Sequence, residues 1–284
     1  MTASSRDSRE FRDEGARMMQ QLIRRSALLA CLIALFGALT ATADSLDLGM
    51  TVTPGKFEAS IPLGTTYNIP VTVANTAATP LHVLASMTDF GVAENGDYQF
   101  EKVGTRPYSL LRWAAIRPRE FDLPPGTSQQ VQLTISIPSD AQLNGEYAGI
   151  IFFQTRPERR AGTGYAFSER VASKFYITIP NTVKVDGAIV KMTSVKGGGD
   201  EIYRVLFKNI GNAHEYLRGQ LTVQKGGAVV YQVPMPDNML VERGGERLIE
   251  LKGKGLEPGT YQAIATIDYG GKTETGGEIN FDVR

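Results

Sequence analysis

The sequence is poor in the side chains that most often carry chemistry. Its 284 residues include one cysteine, Cys31, two histidines, His82 and His214, and one tryptophan. Basic and acidic residues balance at 30 each, so no excess of positive charge favours nucleic acid as a partner. Beyond residue 43, no segment approaches the run of about 18 apolar residues that a membrane helix requires.

Catalytic motifs are also missing. The chain has no Gly-x-Ser-x-Gly elbow and no His-Glu-x-x-His zinc helix, and Gly162-Thr163-Gly164 precedes no helix that could bind phosphate. Glu94 and Asp97 flank an Asn-Gly turn and lack the alternating carboxylates of a calcium loop. His82 alternates with apolar neighbours, as a residue on a sheet face does. We therefore predict no catalytic residues, no metal, no cofactor and no small-molecule substrate.

Residues 1–43 have the pattern of an export signal behind a polar leader. Met18-Met19 is followed by Arg24-Arg25, an apolar run at 27–39, and Ala41-Thr42-Ala43. A basic, an apolar and an A-x-A region in this order are typical of a cleaved secretory signal. We predict a start at Met18 or Met19 and cleavage after Ala43, with an uncleaved signal anchor as the alternative. Since the cysteine would leave with the signal, the mature domains must be stabilised by core burial alone.

From Asp44 onward, nearly every segment alternates apolar and polar residues with the period of two that is typical of strands. The predicted strands are 67–75, 81–87, 129–137, 146–154, 171–179, 202–209, 219–224, 229–233, 246–251, 260–268 and 278–283. This density of short strands predicts an all-β fold of two tandem immunoglobulin-like β-sandwiches. We place the domains at 44–181 and 182–284. A strand ending at Pro180 and another following directly at 182–189 predict a short, stiff joint.

The two halves repeat one series of turn residues. The matching positions are Asn75 and Asn209, Gly126 and Gly244, and the Gly-x-Tyr elements at 145–147 and 259–261. A tyrosine at the start of such a strand can bond its hydroxyl back to the preceding loop and stabilise the corner of a Greek key. We predict this structural role for Tyr147 and Tyr261, with plain core aromatics as the alternative.

The stretch from Gln154 to Pro180 is the candidate binding segment. It begins with a loop that holds Arg156, Arg159 and Arg160, whose role the sequence does not define. The apolar residues of one parity in the strand that follows are Tyr165, Phe167, Val171 and Phe175. An exposed apolar edge strand can pair with a strand of another protein. An ordinary edge strand with one face on the core explains the same alternation.

A series of short motifs also runs in order through residues 46–182. They are Val73-Ala74-Asn75 with Pro80, Pro118-x-x-Phe121-x-Leu123-x-Pro125-Gly126-x-x-Gln129-x-Val131, Ile137-Pro138, and Lys174-Phe175-Tyr176 with Pro180. In this order they resemble the periplasmic chaperones of pilus (fimbrial) assembly. The second half is similar to that family in fold pattern only.

The resemblance implies a binding site. In that family two sandwiches sit at an angle, basic residues in the cleft hold the carboxylate end of a pilus subunit, and the last strand of the first domain completes the subunit's sandwich. Lys174 is then similar to the cleft lysine, and Lys56 stands where the family has an arginine. The exposed apolar contacts would be Tyr165, Phe167 and Val171, and Phe175 completes the predicted partner-binding set.

Two departures from the family pattern indicate a divergent member. Lysine at position 56 lacks the bidentate fork of arginine, and Asn144-Gly145-Glu146-Tyr147 replaces an Arg-Glu-Ser stretch. We predict a periplasmic, chaperone-like binder of secreted or pilus subunits, with an outer-membrane usher as a further partner. The alternative is a structural or adhesive component of the cell surface. The first hypothesis requires Lys56 and Lys174 to converge in the interdomain cleft beside an exposed strand edge.

Overall fold

The computed structural model describes residues 49–140, 142–159, 166–197 and 199–284, with backbone only for Glu158 and Arg159. The predicted signal at 1–43, Arg160 and Tyr165 lie outside these ranges. The described chain is nearly all β, with one 3-10 turn at Leu110–Trp113. Within these ranges, no helix is long and apolar enough to cross a membrane.

The first half of the described chain forms two main sheets. Its strands are β1 Met50–Thr53, β2 Lys56–Ser60, β3 Thr66–Asn75, β4 Leu81–Val92, β5 Tyr98–Glu101, β6 Ala114–Arg117, β7 Glu120–Leu123, β8 Ser128–Ser136, β9 Glu146–Thr155, β10 Glu158–Arg159, β11 Ala166–Phe167 and β12 Arg170–Thr178. One sheet has the order β1-β3-β8-β6. The other has the order β2-β12-β9-β4-β5, with β7 also on β4, and β10 pairs separately with β11.

The second half also forms two sheets. Its strands are β13 Gly187–Gly197, β14 Asp200–Asn209, β15 Glu215–Lys225, β16 Ala228–Pro234, β17 Met239–Val241, β18 Glu246–Lys252, β19 Gly259–Asp268 and β20 Thr275–Val283. The sheet orders are β13-β14-β18 and β16-β15-β19-β20, with β17 on β15.

Each half buries a core of its own between its two sheets. In the first, Val71 on β3 and Val131 on β8 share one buried cluster with Phe153 on β9. In the second, residues of β14 and β18 share a cluster with residues of β15 and β19. Each fully buried valine or phenylalanine contributes about 1.5–3 kcal/mol. The predicted pair of immunoglobulin-like sandwiches is confirmed.

Asn75 holds together two loops at the end of β3. Its side-chain amide donates to Thr79 O at 2.8 Å and to Leu123 O at 2.9 Å, while its Oδ1 accepts from Ala77 N at 2.9 Å. The Asn75 side chain is buried, and its bonds with Leu123 and Ala77 form away from water. One residue thereby satisfies backbone groups that would otherwise be buried without partners.

Asn209 does the same in the second sandwich. Its amide donates to Ala213 O at 2.7 Å and to Val241 O at 3.3 Å, and its Oδ1 accepts from Gly211 N at 2.8 Å. In both turns the asparagine amide bonds to the carbonyl four residues later, and its Oδ1 accepts from the N–H two residues later. The repeat recognised in the sequence therefore corresponds to one buried turn built twice.

The two Gly-x-Tyr tyrosines differ in their bonding. The hydroxyl of Tyr261 donates to Glu257 O in the preceding loop at 2.8 Å, which is the geometry expected of a corner tyrosine. Tyr147 is buried with its ring centroid 4.7 Å from that of Trp113. Among the described residues, its hydroxyl has no hydrogen bond to the loop before it. Tyr147 therefore acts through aromatic packing.

The joint between the sandwiches is longer than the alternation predicts. β12 ends at Thr178 and β13 begins at Gly187, so the predicted strand at 182–189 is wrong in its first five residues. The backbone of this segment is hydrogen-bonded to the turn at 210–214 and not to a neighbouring strand. Asn212 N donates to Lys184 O, and Gly211 N donates to Asp186 O. The domain boundary at 181/182 stays a prediction.

Replacing either buried asparagine tests the repeated turn. We expect Asn75→Ala and Asn209→Ala each to lower the free energy of unfolding by about 2–4 kcal/mol, because buried carbonyls lose their donors. The exposed Asn95, which bonds only to Asp97, provides the control; Asn95→Ala should change stability by less than about 0.5 kcal/mol. Urea unfolding measures all three. A midpoint for either core variant equal to that of Asn95→Ala would contradict the assignment.

Candidate functional site

The candidate site is the cleft where the outer face of the β2-β12-β9-β4-β5 sheet meets the second sandwich. A second apolar cluster covers this face and consists of Phe90, Ile150, Phe152 and Tyr176, with Leu240 of the second sandwich packed against it. The ring of Tyr176 also lies 4.4 Å, centroid to centroid, from that of His214. The floor of the cleft is therefore apolar and shared by both sandwiches.

Beside this apolar contact, a polar clamp joins the sandwiches. Both carboxylate oxygens of the buried Glu146 contact His214, Oε2 at 2.6 Å from Nδ1 and Oε1 at 3.1 Å from the backbone N. Arg243 donates to the backbone oxygens of Asn144 and Glu146 at 2.8 and 3.2 Å. The first strand residue of β9 is thus held from two loops of the second sandwich.

Gly145 permits this close approach. Its φ is +65°, and a Cβ added there would lie 2.3 Å from Asn212 O. The next residue, Glu146, donates its backbone N–H to the same carbonyl at 2.8 Å. Any other residue at 145 would separate the two sandwiches at this contact.

Lys56 and Lys174 are neighbours in this cleft. Parallel pairing of β2 with β12 places their Cα atoms directly opposite each other, so both side chains emerge on the outer face of the sheet. Lys56 Nζ donates to the hydroxyl of Tyr216, in the second sandwich, at 2.8 Å. Lys174 Nζ donates to the hydroxyl of Tyr98, on β5, at 3.0 Å. The two predicted cleft lysines are therefore brought together, each with a tyrosine beside it.

A carboxylate neutralises Lys56. Glu58 Oε1 lies 2.7 Å from Lys56 Nζ, accepts from the Tyr216 hydroxyl at 3.1 Å and lies 3.5 Å from His214 Nε2. The hydrogen bonds of Lys56 with Glu58 and Tyr216 raise the lysine's pKa. Burial opposes ionisation of Glu58, but the bond from Lys56 and the neighbouring charges lower its pKa overall. Both groups are therefore ionised near neutral pH.

β12 faces the core with its odd-numbered residues. Phe175 is 0% exposed and lies inside the core of the first sandwich, and Val171 packs against the same core. The expectation that these two side chains are presented to a partner is therefore corrected: alternation puts them on the face opposite Lys174. Phe167, on β11, is 44% exposed. Tyr165 lies outside the described residues.

One part of β12 has an unpaired edge. β9 covers the whole strand on one side, whereas β2 covers the other side only from Lys174 to Thr178. Lys174 N donates across this side to Gly55 O at 3.0 Å. Since backbone N–H groups alternate in direction along a strand, those of Arg170 and Ala172 point to the same side. Within the described residues, no strand pairs with them there.

Aromatic side chains extend the outer face away from the cleft. The guanidinium of Arg170 lies 3.4 Å from the ring centroid of Phe152 and 5.8 Å from that of Phe100. The rings of Phe100 and Tyr98 stack at 6.3 Å, and Phe100 is half exposed. An apolar surface therefore continues from the lysines along β5.

A cavity of about 360 Å³ opens on the other side of the clamp. Arg106, Tyr108, Tyr176, Glu242 and Arg243 contribute to its lining. Arg243 stacks over the ring of Tyr108 at 3.5 Å. Burial raises the pKa of Glu242, whose Oε2 accepts from the backbone of β4. The buried hydroxyl of Tyr176 has no hydrogen-bond partner among the described residues.

The histidines lie in acidic surroundings. On β4, His82 contacts Asp122 at 2.6 Å and Glu120 at 2.7 Å, and Arg156 reaches the same Glu120 oxygen at 2.7 Å. His82 is thus a residue of a charged sheet face, and Arg156 belongs to that network. Across the described ranges, no group of three or more His, Cys, Asp and Glu side chains is arranged to hold a metal ion.

Several site residues were not recognised in the sequence. Tyr98, His214 and Tyr216 lie far along the chain from the lysines, and no local pattern marks them. Glu58 had a usable signal, because residues two apart on a strand share a face and its charge is opposite to that of Lys56. Period-two reasoning applied to β2 would have found this pair.

No family model and no curated protein matches the chain. Solved structures do. The class 5 fimbriae chaperone CfaA is 9% identical, with 83% of this chain and 99% of that chain covered and a TM-score of 0.46. The CupB2 chaperone of Pseudomonas aeruginosa is 11% identical, with 82% and 100% covered and a TM-score of 0.41.

The structure of SafA pilin in complex with the SafB chaperone, from Salmonella enterica, contains a chain that is 15% identical to this one. The match covers 83% of this chain and 96% of that chain, with a TM-score of 0.42. These structures are all fimbrial chaperones. The kind of protein that the sequence resembles is found again among these solved structures, at identities of 9–15%. With TM-scores below 0.5, the likeness by itself assigns neither a function nor a partner to this chain.

Glu215 introduces a pH-sensitive group beside the joint. The side chain is buried, its Oε1 accepts from Asp186 N at 3.1 Å, and its Oε2 has no partner among the described residues. Burial raises the pKa of this carboxyl to about 7. In the folded protein the group therefore keeps its proton over a range in which the unfolded chain has lost it.

This difference predicts a pH dependence of stability. Between pH 4.5, the ordinary value, and about pH 7, the unfolded state releases the proton first, so the free energy of unfolding falls as pH rises. Glu215→Gln has a neutral side chain at every pH and should remove the part of this decrease that Glu215 causes. We expect the free energy of unfolding of the variant, relative to that of wild type, to rise by up to about 3 kcal/mol between pH 4.5 and pH 8. Urea unfolding at both pH values measures the difference.

The exposed Glu250, paired with Arg204, supplies the matched control. Glu250→Gln should show no comparable gain over this range. An equal difference between Glu215→Gln and wild type at both pH values would mean that Glu215 ionises normally in the folded protein.

Proposed function

We propose that this protein is an exported, chaperone-like binder of secreted or pilus subunits. A subunit strand would pair with the open edge of β12 at residues 170–173, and its C-terminal carboxylate would reach the cleft lysines. The observation that carries the proposal is the pairing of Lys56 with Lys174 directly beside that open edge. The site of action would be the periplasm.

The open edge supports strand pairing. The N–H groups of Arg170 and Ala172 point to the side on which no described strand pairs with them, and β12 stays in register with β9 throughout. An added strand would thus meet a rigid, preformed template, and main-chain hydrogen bonds would supply affinity. The exposed Phe167 would then contact its side chains.

The charge of the cleft supports a carboxylate anchor. A carboxylate that leaves water for the apolar floor around Tyr176 requires a cationic hydrogen-bond donor. Lys174 is placed to supply one, because its ammonium group contacts only the neutral Tyr98 hydroxyl among the described residues. An outer-membrane usher remains the further predicted partner.

The alternative hypothesis was a structural or adhesive component of the surface. The chaperone-like function requires Lys56 and Lys174 to lie together, and their direct pairing supports it over the alternative. The exposed strand edge that this function requires is present in part, since residues 174–178 are covered on both sides and only residues 170–173 lack a described strand on the second side. We therefore place strand pairing at the N-terminal half of β12.

Capture of a subunit tests the proposal. The protein is isolated by affinity from periplasmic extract of its own host, and the co-purifying subunit proteins are identified and quantified by mass spectrometry. Lys174→Met should recover at least tenfold less subunit, because it loses a charge-assisted hydrogen bond but keeps the apolar stem. The exposed Lys191 on β13 provides the control, and Lys191→Met should recover as much as wild type. Equal recovery with Lys174→Met would refute the carboxylate anchor.

A further inference from the structure

We propose that the two cleft lysines are not equivalent: Lys174 alone anchors the client carboxylate, and Glu58 occupies Lys56 as an internal carboxylate that weakens binding. This inference rests on the proposed function and names Glu58 as the residue that sets the affinity of that site for a carboxylate. It differs from a site in which two unpaired lysines both bind the client carboxylate.

Lys56 already has two polar partners, one of them a carboxylate. Its Nζ contacts Glu58 Oε1 at 2.7 Å and the Tyr216 hydroxyl at 2.8 Å, and the same hydroxyl donates to the same carboxylate oxygen at 3.1 Å. The three groups therefore form a closed triangle. A client carboxylate at Lys56 would have to share the ammonium group with Glu58, which belongs to the same molecule and is always present.

Lys174 has no such competitor. Its Nζ donates to the Tyr98 hydroxyl at 3.0 Å and lies 5.2 Å from the centre of that ring. Across the described ranges, no carboxylate oxygen lies within 4.0 Å of it. Tyr98 in turn packs against Phe90 at 5.8 Å. Tyr98 therefore positions the ammonium group, which keeps an uncompensated charge.

Glu58 also repels a client carboxylate electrostatically, without contacting it. It follows Lys56 on the same face of β2 and lies opposite Tyr176 in register, one strand away from the Lys174 strand. Neighbouring strands are about 4.8 Å apart. A client carboxylate bound to Lys174 would thus stand close to a second negative charge. At a partly solvated site, this repulsion amounts to roughly a three- to tenfold loss of affinity.

A double replacement separates the two lysines. The probe is a fluorescent 14-residue peptide of alternating valine and threonine that ends in a free carboxylate, and its C-terminal amide is the reference. Dissociation constants are measured by fluorescence anisotropy with the mature protein. Because the Lys56–Glu58 pair has no net charge, Lys56→Met with Glu58→Gln should bind the acid within about threefold of wild type.

The single variants should move in opposite directions. Glu58→Gln removes the competing charge and should tighten binding of the acid about three- to tenfold, with no change for the amide. Lys174→Met should weaken binding of the acid more than tenfold as long as Glu58 is present to occupy Lys56. A matched ion pair between two strands of the second sandwich, Lys208 on β14 with Glu246 on β18 at 3.0 Å, provides the control. Lys208→Met with Glu246→Gln should leave both peptides unaffected.

The outcomes distinguish this inference from the proposed function. If the Lys56 and Glu58 double variant loses as much affinity for the acid as Lys174→Met, both lysines anchor the client and the inequivalence is wrong, while the proposed function stands. If Glu58→Gln binds the acid no more tightly than wild type, Glu58 does not compete and the inference is also wrong. If wild type binds acid and amide equally, the carboxylate anchor itself fails, and the inference with it.

Discussion

The hydrogen-bonded register of β12 is the constraint on which the rest of the structure depends. This strand lies between β9 and β2, and the shorter length of β2 leaves residues 170–173 without a described strand on that side. The same register places Lys174 beside Lys56. It also sends Phe175 into the core and Tyr176 into the contact with the second sandwich. A shift by one residue would exchange these faces and remove both the core and the cleft.

Contact between the sandwiches holds the cleft in one geometry. Tyr176 packs against His214, and Glu146 is bonded through both oxygens to the same histidine. Gly145 lets the two chains approach closely enough for these bonds. Since Tyr216, the partner of Lys56, belongs to the second sandwich, the state of the lysines depends on this joint.

Charge balance within the cleft distinguishes the two lysines. A lysine at position 56 forms a single-point contact, where an arginine would offer a fork. Here that contact is made to Glu58 of the same strand. Lys174 contacts a neutral hydroxyl instead. The departure from the family pattern at position 56 therefore coincides with an internal carboxylate, which places the available charge on β12.

Local patterns determined much of this fold. Alternation predicted most of the long strands to within about four residues, but it ended β4 at 87 instead of 92 and β13 at 189 instead of 197. The Asn and Gly turns marked a repeat whose bonds the structure reproduces around Asn75 and Asn209. Strands of about four residues, such as β5 and β7, were missed because so short a segment shows no reliable period. The predicted strand at 182–189 failed at its start, where tertiary bonds to Asn212 replaced a ladder.

The site was predictable only in part. The order of motifs indicated Lys56 and Lys174, so the positive charge of the site could be predicted from the sequence alone. Which parity of β12 faces the core, and therefore the burial of Phe175, was decided by packing against the opposite sheet. Tyr216 reaches Lys56 across 160 residues of chain. Such partners depend on how two separately folded sandwiches dock, and an alternating pattern within one strand contains no information about that contact.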